Sequence, residues 1–206
     1  MSSVKRILFV CTGNTCRSPM AEALLNANGS RRGLQIEVRS AGVSTIDGLP
    51  VSAHSRTALE RRGIKHTGCS KALDGGMVNW ADLVLTMTSG HKKSLLHQFP
   101  EAVNKTFTLK EYVNCDEEVL ATIAELEGIY TEWQMKQALG QQLSEVERRR
   151  LLELERLVPE FDIADPFGGS QETYEQCAAE IGQALDKLLD MLERGEDRNR
   201  LDALGE

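Results

Sequence analysis

A three-layer α/β fold, with helices covering both faces of a parallel sheet, is predicted by three features of the sequence. Short apolar runs recur along the chain, helical patterns separate them, and the first run ends in a polar, glycine-containing loop that opens into a helix. A chain of 206 residues fits a single domain of this class enlarged by an insertion. Its apolar share of 41% and charged share of 27% suit a globular protein in water, and no stretch approaches the ~18 apolar residues of a membrane span.

The first strand is expected over residues 4–10, where Ile7 to Val10 form an unbroken apolar run. The next helix carries Met20, Ala23 and Leu24 on its apolar face, and Pro19 suits its first turn. A second strand follows at 34–39, then a helix at 52–62 stopped by Gly63. The run ADLVLTM at 81–87 reads as a buried strand, 89–98 as a helix, 106–109 as a short strand and 171–194 as a long closing helix. The polar end, GEDRNRLDALGE, is expected to fray.

Between residues 116 and 160 the alternation stops. Five basic and eleven acidic side chains there give −6 of the chain's net −7. The composition predicts two or three short helices, with Gly128 and Gly140 as breaks. This acidic insertion has three readings: a docking surface for proteins, a lid near the loop that follows it, or an excursion that packs on the domain. Its position just before that loop favours influence over substrate access.

The start, MSSVKRILFVC, has too short an apolar run and no small-residue cleavage site, so a signal peptide is not expected and a cytoplasmic protein is. Five irregularly spaced cysteines match neither a secreted disulfide framework nor a paired zinc motif. The acidic balance argues against nucleic acid as the main partner. A monomer is expected, bound to no membrane.

The chemistry is concentrated at the first strand-to-helix junction, CTGNTCRS, where Cys11 and Arg17 are spaced C-x5-R and Ser18 follows. A helix N-terminus at the carboxyl end of a strand offers unpaired N–H groups to an anion, so the loop of Thr12, Gly13, Asn14, Thr15 and Cys16 can wrap a phosphate. The same donors, with Arg17, favour a thiolate at Cys11. Arg17 can grip two phosphoryl oxygens with its planar fork. A cysteine at a strand end is commonly just a small buried hydrophobe; the spacing to arginine, with Gly13 and Asn14 between, raises the reading to a nucleophile. Asp165, in a loop stiffened by Pro166, is a candidate proton donor and acceptor, and Ser170 a helix cap.

VCTGNTCRSPMAEAL, RSAG at 39–42, ADLVLTM and DPFGGS at 165–170 together resemble the low-molecular-weight protein tyrosine phosphatase family, over roughly residues 4–113 and 161–192. The resemblance implies a flavodoxin-like arrangement around a four-stranded parallel sheet, no metal or cofactor, and catalysis through a phosphocysteine on Cys11. It makes Arg17 the phosphate-binding arginine, Asp165 the general acid and base, and Asn14, Ser18 and Ser40 the supports of the loop. His66 falls where members often carry a loop-supporting histidine, in a differing context that leaves a surface or core role equally open.

Thr15 departs from the isoleucine or leucine usual in tyrosine-directed members, and Phe167 before Gly168 and Gly169 departs from their aromatic residues after DP. Both departures resemble the bacterial protein arginine phosphatase branch and imply phosphoarginine in proteins as substrate. Thr15 would then border a partly polar pocket, and Phe167 flank the substrate chain. A tyrosine phosphatase that tolerates threonine is the alternative. Arsenate reduction is weaker, because Cys69, Cys115 and Cys177 form no close redox pair in sequence. A thiol sensor is also open, in which peroxide joins Cys11 to Cys16.

Overall fold

The computed structural model describes residues 5–114 and 116–196. Val4, Cys115 and the expected fraying beyond residue 196 lie outside the described residues. The chain divides into two compact units, Asn114–Glu160 and the remainder.

The larger unit is built on four parallel strands: β1 (Lys5–Cys11), β2 (Ile36–Gly42), β3 (Leu83–Thr86) and β4 (Thr106–Thr108), in the order β2-β1-β3-β4. The helices are α1 (Arg17–Arg31), α2 (Ala53–Glu60), α3 (Gly75–Trp80), α4 (Ser89–Gln98), α5 (Leu109–Asn114) and α8 (Gln171–Arg194), with a 3-10 turn at Pro100–Lys105. Two-residue alternation in β1 sorts the core. Ile7, Phe9 and Cys11 join Leu83, Leu85 and the apolar faces of α1 and α8. Leu8 and Val10 join Val84, Val78 of α3 and Leu95 of α4 on the other face. Burial of one such Leu or Ile side chain contributes roughly 1.5–3 kcal/mol.

Ser170 caps α8 by accepting the Thr173 N–H, and Gly195 at φ 68° ends it. β2 begins later than expected, because Leu34 donates its N–H to Gly29 and so still belongs to the end of α1. It runs on to Gly42, pairing with Cys11. The sheet reverses its strand order beside β1, with β2 on one side and β3 on the other. That switch point opens a crevice at the carboxyl end of β1, where α/β proteins bind ligands.

The smaller unit is a pair of helices, α6 (Glu117–Ala138) and α7 (Glu145–Leu157). The expected break at Gly128 does not occur: α6 continues through it for 22 residues. One glycine costs a helix only ~1 kcal/mol relative to alanine, and strong helix formers surround this one. Gly140, at φ 69°, lies in the turn that follows α6. Ser144 and Glu147 form a reciprocal capping box on α7. Within this unit Arg150 donates twice to Glu125 at 2.6 Å, and Lys136 pairs with Glu132 and Glu147. No helix among the described residues is long and apolar enough to cross a membrane.

Candidate active site

β1 delivers Cys11 to the crevice, and α1 begins six residues later at Arg17. Cys11 is 3% exposed. Its sulfur accepts the Asn14 N–H at 3.3 Å and lies 3.0 Å from the Ser18 hydroxyl. Ser18 Oγ in turn accepts from Asn14 Nδ2 at 2.9 Å, and its one proton has two acceptors in reach, the Cys11 sulfur at 3.0 Å and the Ala41 carbonyl at 3.4 Å.

Asn14 shapes the loop. Its φ of 52° is left-handed, a conformation that asparagine tolerates better than most residues. The side chain also donates to Ser40 Oγ at 2.8 Å and accepts the Lys71 N–H at 2.7 Å. Ser40 donates its hydroxyl to Glu22 Oε2, so a polar chain runs Ser18–Asn14–Ser40–Glu22 beneath the loop. Burial pushes the Glu22 carboxyl above its ordinary value, against the pull of Ser40 and the His66 charge.

Gly42 forms the floor. A Cβ built there would lie 2.5 Å from the Thr12 carbonyl and 3.0 Å from the Asn14 nitrogen, so no larger residue fits beneath the loop as it stands. Val43 and Ser44 donate their N–H groups to the Cys11 and Thr12 carbonyls, and Ser52 donates to that of Thr15.

Arg17 is 4% exposed. One nitrogen donates to the Ile163 carbonyl at 3.2 Å, the other to Asp165 Oδ2 at 2.7 Å. Asp165 remains 52% exposed, facing the crevice mouth, and its second oxygen accepts the Phe167 N–H at 3.2 Å. The segment leading to it is heavily tied. Ile163 donates to the Met87 carbonyl, Asp162 accepts from the Ser89 N–H at 2.7 Å, Thr108 donates to Phe161, and Lys110 to the Asp162 carbonyl. Phe167 projects outward, 79% exposed.

Thr15 and Gly13 line a cleft of about 450 Å³ with Ser44, Thr45, Ile46 and Leu49. Cys16 is buried, its sulfur 3.4 Å from the Tyr174 hydroxyl of α8. Burial, then the Cys16 contact, pushes Tyr174 up to about 12. Cys69 is exposed; Cys177 is buried on α8, and desolvation pushes its thiol up to about 12. The structure thus gathers Cys11, Asn14, Arg17, Ser18, Ser40 and Asp165, with Thr12, Gly13, Thr15 and Cys16 in the loop between.

Sequence reasoning missed His91, Glu22 and Tyr174. His91 Nε2 lies 2.7 Å from Thr12 Oγ1, and Nδ1 lies 2.8 Å from Thr88 Oγ1. The spacing of Thr88 to His91 at the end of β3 was the available signal, since a threonine cap sets the residue three positions on in the helix's first turn. Nothing local marks Glu22 or Tyr174, which are functional neighbours only through tertiary packing.

Residues 6–127 match the family described as low molecular weight phosphotyrosine protein phosphatase. The chain is 37% identical over 188 residues to a protein-arginine-phosphatase of Geobacillus stearothermophilus, covering 91% of this chain and 96% of that one. To a protein-arginine-phosphatase of Bacillus subtilis (strain 168) it is 35% identical, covering 91% and 97%. A solved low molecular weight protein tyrosine phosphatase from T. tengcongensis superposes with a TM-score of 0.67 at 33% identity, covering 90% and 98%. With the cysteine loop at the carboxyl end of β1 and similarity running nearly the full length of these relatives, the chain belongs to the low molecular weight phosphotyrosine protein phosphatase family.

Proposed function

We propose that the chain is a protein arginine phosphatase, hydrolysing phosphoarginine in proteins through a phosphocysteine on Cys11. The observation that carries this reading is the convergence on one loop of a sulfur, a buried guanidinium and a carboxylate, Asp165, 2.7 Å from that guanidinium. The Cys11 thiolate attacks phosphorus while the P–N bond breaks, and the Asp165 carboxyl gives its proton to the leaving guanidino nitrogen. Water then attacks phosphorus, Asp165 takes its proton, and the P–S bond breaks to release phosphate. The Ser18 hydroxyl stabilises the departing thiolate. As a phosphoryl group enters, Arg17 exchanges the Asp165 carboxylate for phosphoryl oxygens, and the freed carboxylate takes up a proton from solvent to become the acid of the first step.

Specificity for arginine is supported by Thr15 at the cleft beside the loop and by Phe167 at the mouth. The names of the two relatives at 37% and 35% identity agree with it. A tyrosine-directed phosphatase shares every catalytic residue and is the second reading. Thr15→Ile is expected to lower kcat/KM for a phosphoarginine peptide by about tenfold or more relative to a phosphotyrosine peptide, as loss of a polar pocket wall predicts. An unchanged ratio between the two substrates removes Thr15 from specificity.

The substrates are phosphorylated proteins, the compartment the cytoplasm, and residues 116–160 an insertion within one phosphatase domain that docks protein substrates. The −6 charge of the insertion supports a partner with a basic face. Replacing residues 118–158 by a short linker is expected to leave rates on small phosphopeptides unchanged and to lower those on phosphorylated proteins. Equal rates on both would make the insertion a bystander.

A further inference from the structure

The first residue of the phosphate loop is held by a histidine that no step above uses. Thr12 is exposed at the rim, whereas His91 is only 7% exposed, with both ring nitrogens engaged by threonine hydroxyls. We infer that His91 is a positioning residue for the phosphatase reaction: a neutral ring with its proton on Nε2, it donates to Thr12 and leaves the Thr12 hydroxyl proton free to meet the phosphoryl group. This rests on the phosphatase reading of the site.

The proton order follows from counting donors. Thr88 Oγ1 already accepts the His91 N–H at 3.2 Å as the cap of α4, and its other short contact is to Nδ1 at 2.8 Å. A hydroxyl has one proton, and this one is best satisfied by donating it to Nδ1. Nδ1 then accepts, so the ring hydrogen sits on Nε2. Nε2–H can only donate; Thr12 Oγ1 accepts and keeps its own proton for something else. The opposite tautomer would aim two donors at the Thr88 oxygen and spend the Thr12 proton on the ring.

The surroundings keep the ring neutral. Burial, then the nearby Arg17 charge, pushes His91 down to about 4, outweighing Asp165 and Asp162. The same turn of α4 also holds the acid loop, because Ser89 donates both its N–H and its hydroxyl to Asp162. One helical turn thus braces the residue beside the nucleophile and the segment that leads to Asp165.

Nitrogen-15 NMR of histidine-labelled protein reads the tautomer without turnover. His91 is expected neutral at pH 7 with hydrogen on Nε2, and its signal is expected to move in Thr12→Val. A charged ring, or hydrogen on Nδ1, overturns the inference. Kinetics tests its consequence. Thr12→Val and His91→Leu are each expected to lower kcat/KM by about tenfold and to weaken inhibition by inorganic phosphate equally, with kcat little changed, as loss of one hydrogen bond to a charged group predicts. The double variant is expected to be no worse than either single one, and His91→Gln, which keeps a donor near the Nε2 position, to recover most of the loss. Additive losses, or unchanged phosphate inhibition in Thr12→Val with an active wild type, overturn the role of His91 alone. A wild type inactive on every phosphopeptide overturns the phosphatase reading and this role with it, while the NMR result still stands.

Discussion

Cys11→Ser is expected to abolish turnover of phosphoarginine and phosphotyrosine peptides alike, with kcat falling by about 10⁴ or more, as loss of a covalent nucleophile predicts. A serine hydroxyl in the same place retains its proton at neutral pH, and the loop contains no base to remove it: the groups around the Cys11 sulfur are the Asn14 N–H and a serine hydroxyl. Binding is expected to survive, because Arg17, the group that grips the anion, is positioned by the Ile163 carbonyl and not by the Cys11 sulfur. Phosphate release from peptides measures the first outcome, and calorimetric titration with inorganic phosphate the second. Substantial turnover by a folded serine variant would exclude the phosphocysteine route.

Asp165→Asn carries the second-largest expected effect and separates two jobs of one carboxyl group. As proton donor to a leaving nitrogen, its loss is expected to lower kcat by about 10²–10⁴. An aryl phosphate with an acidic phenol needs little protonation of its leaving group, so with that substrate the first step is expected to suffer far less. As partner of Arg17 at 2.7 Å, Asp165 competes with any incoming anion for the same nitrogen. The neutral amide competes less, and inorganic phosphate is expected to inhibit the variant more strongly than the wild type. An equal loss on both substrate types, with weaker phosphate binding, would assign Asp165 to holding Arg17 rather than to moving a proton.

These expectations could be framed because the main chemistry is contiguous in sequence. Cys11 to Ser18 is one contiguous stretch, so spacing alone relates its candidate nucleophile and its cation, and the apolar runs around Phe9 and Leu85 announced strands whose burial is now explicit. Gln171–Arg194 follows its own capping residue, Ser170, and was legible for that reason. Gly128 misled because helix stability is summed over many residues, and a single unfavourable one is outvoted. Glu22, Tyr174 and His91 were not legible as site residues, since each gains its role from a contact with a distant segment: Ser40, Cys16 and Thr12 respectively.

The ties at Phe161, Asp162 and Ile163 give Asp165, the candidate proton donor, a form of mechanical insulation. The acidic helices rejoin the chain at Glu160, and any tug transmitted through that junction reaches a stretch gripped by Thr108, Lys110, Ser89 and Met87 before it reaches Asp165. The grip works as a strain relief on a cable. These ties set the station of that carboxyl group.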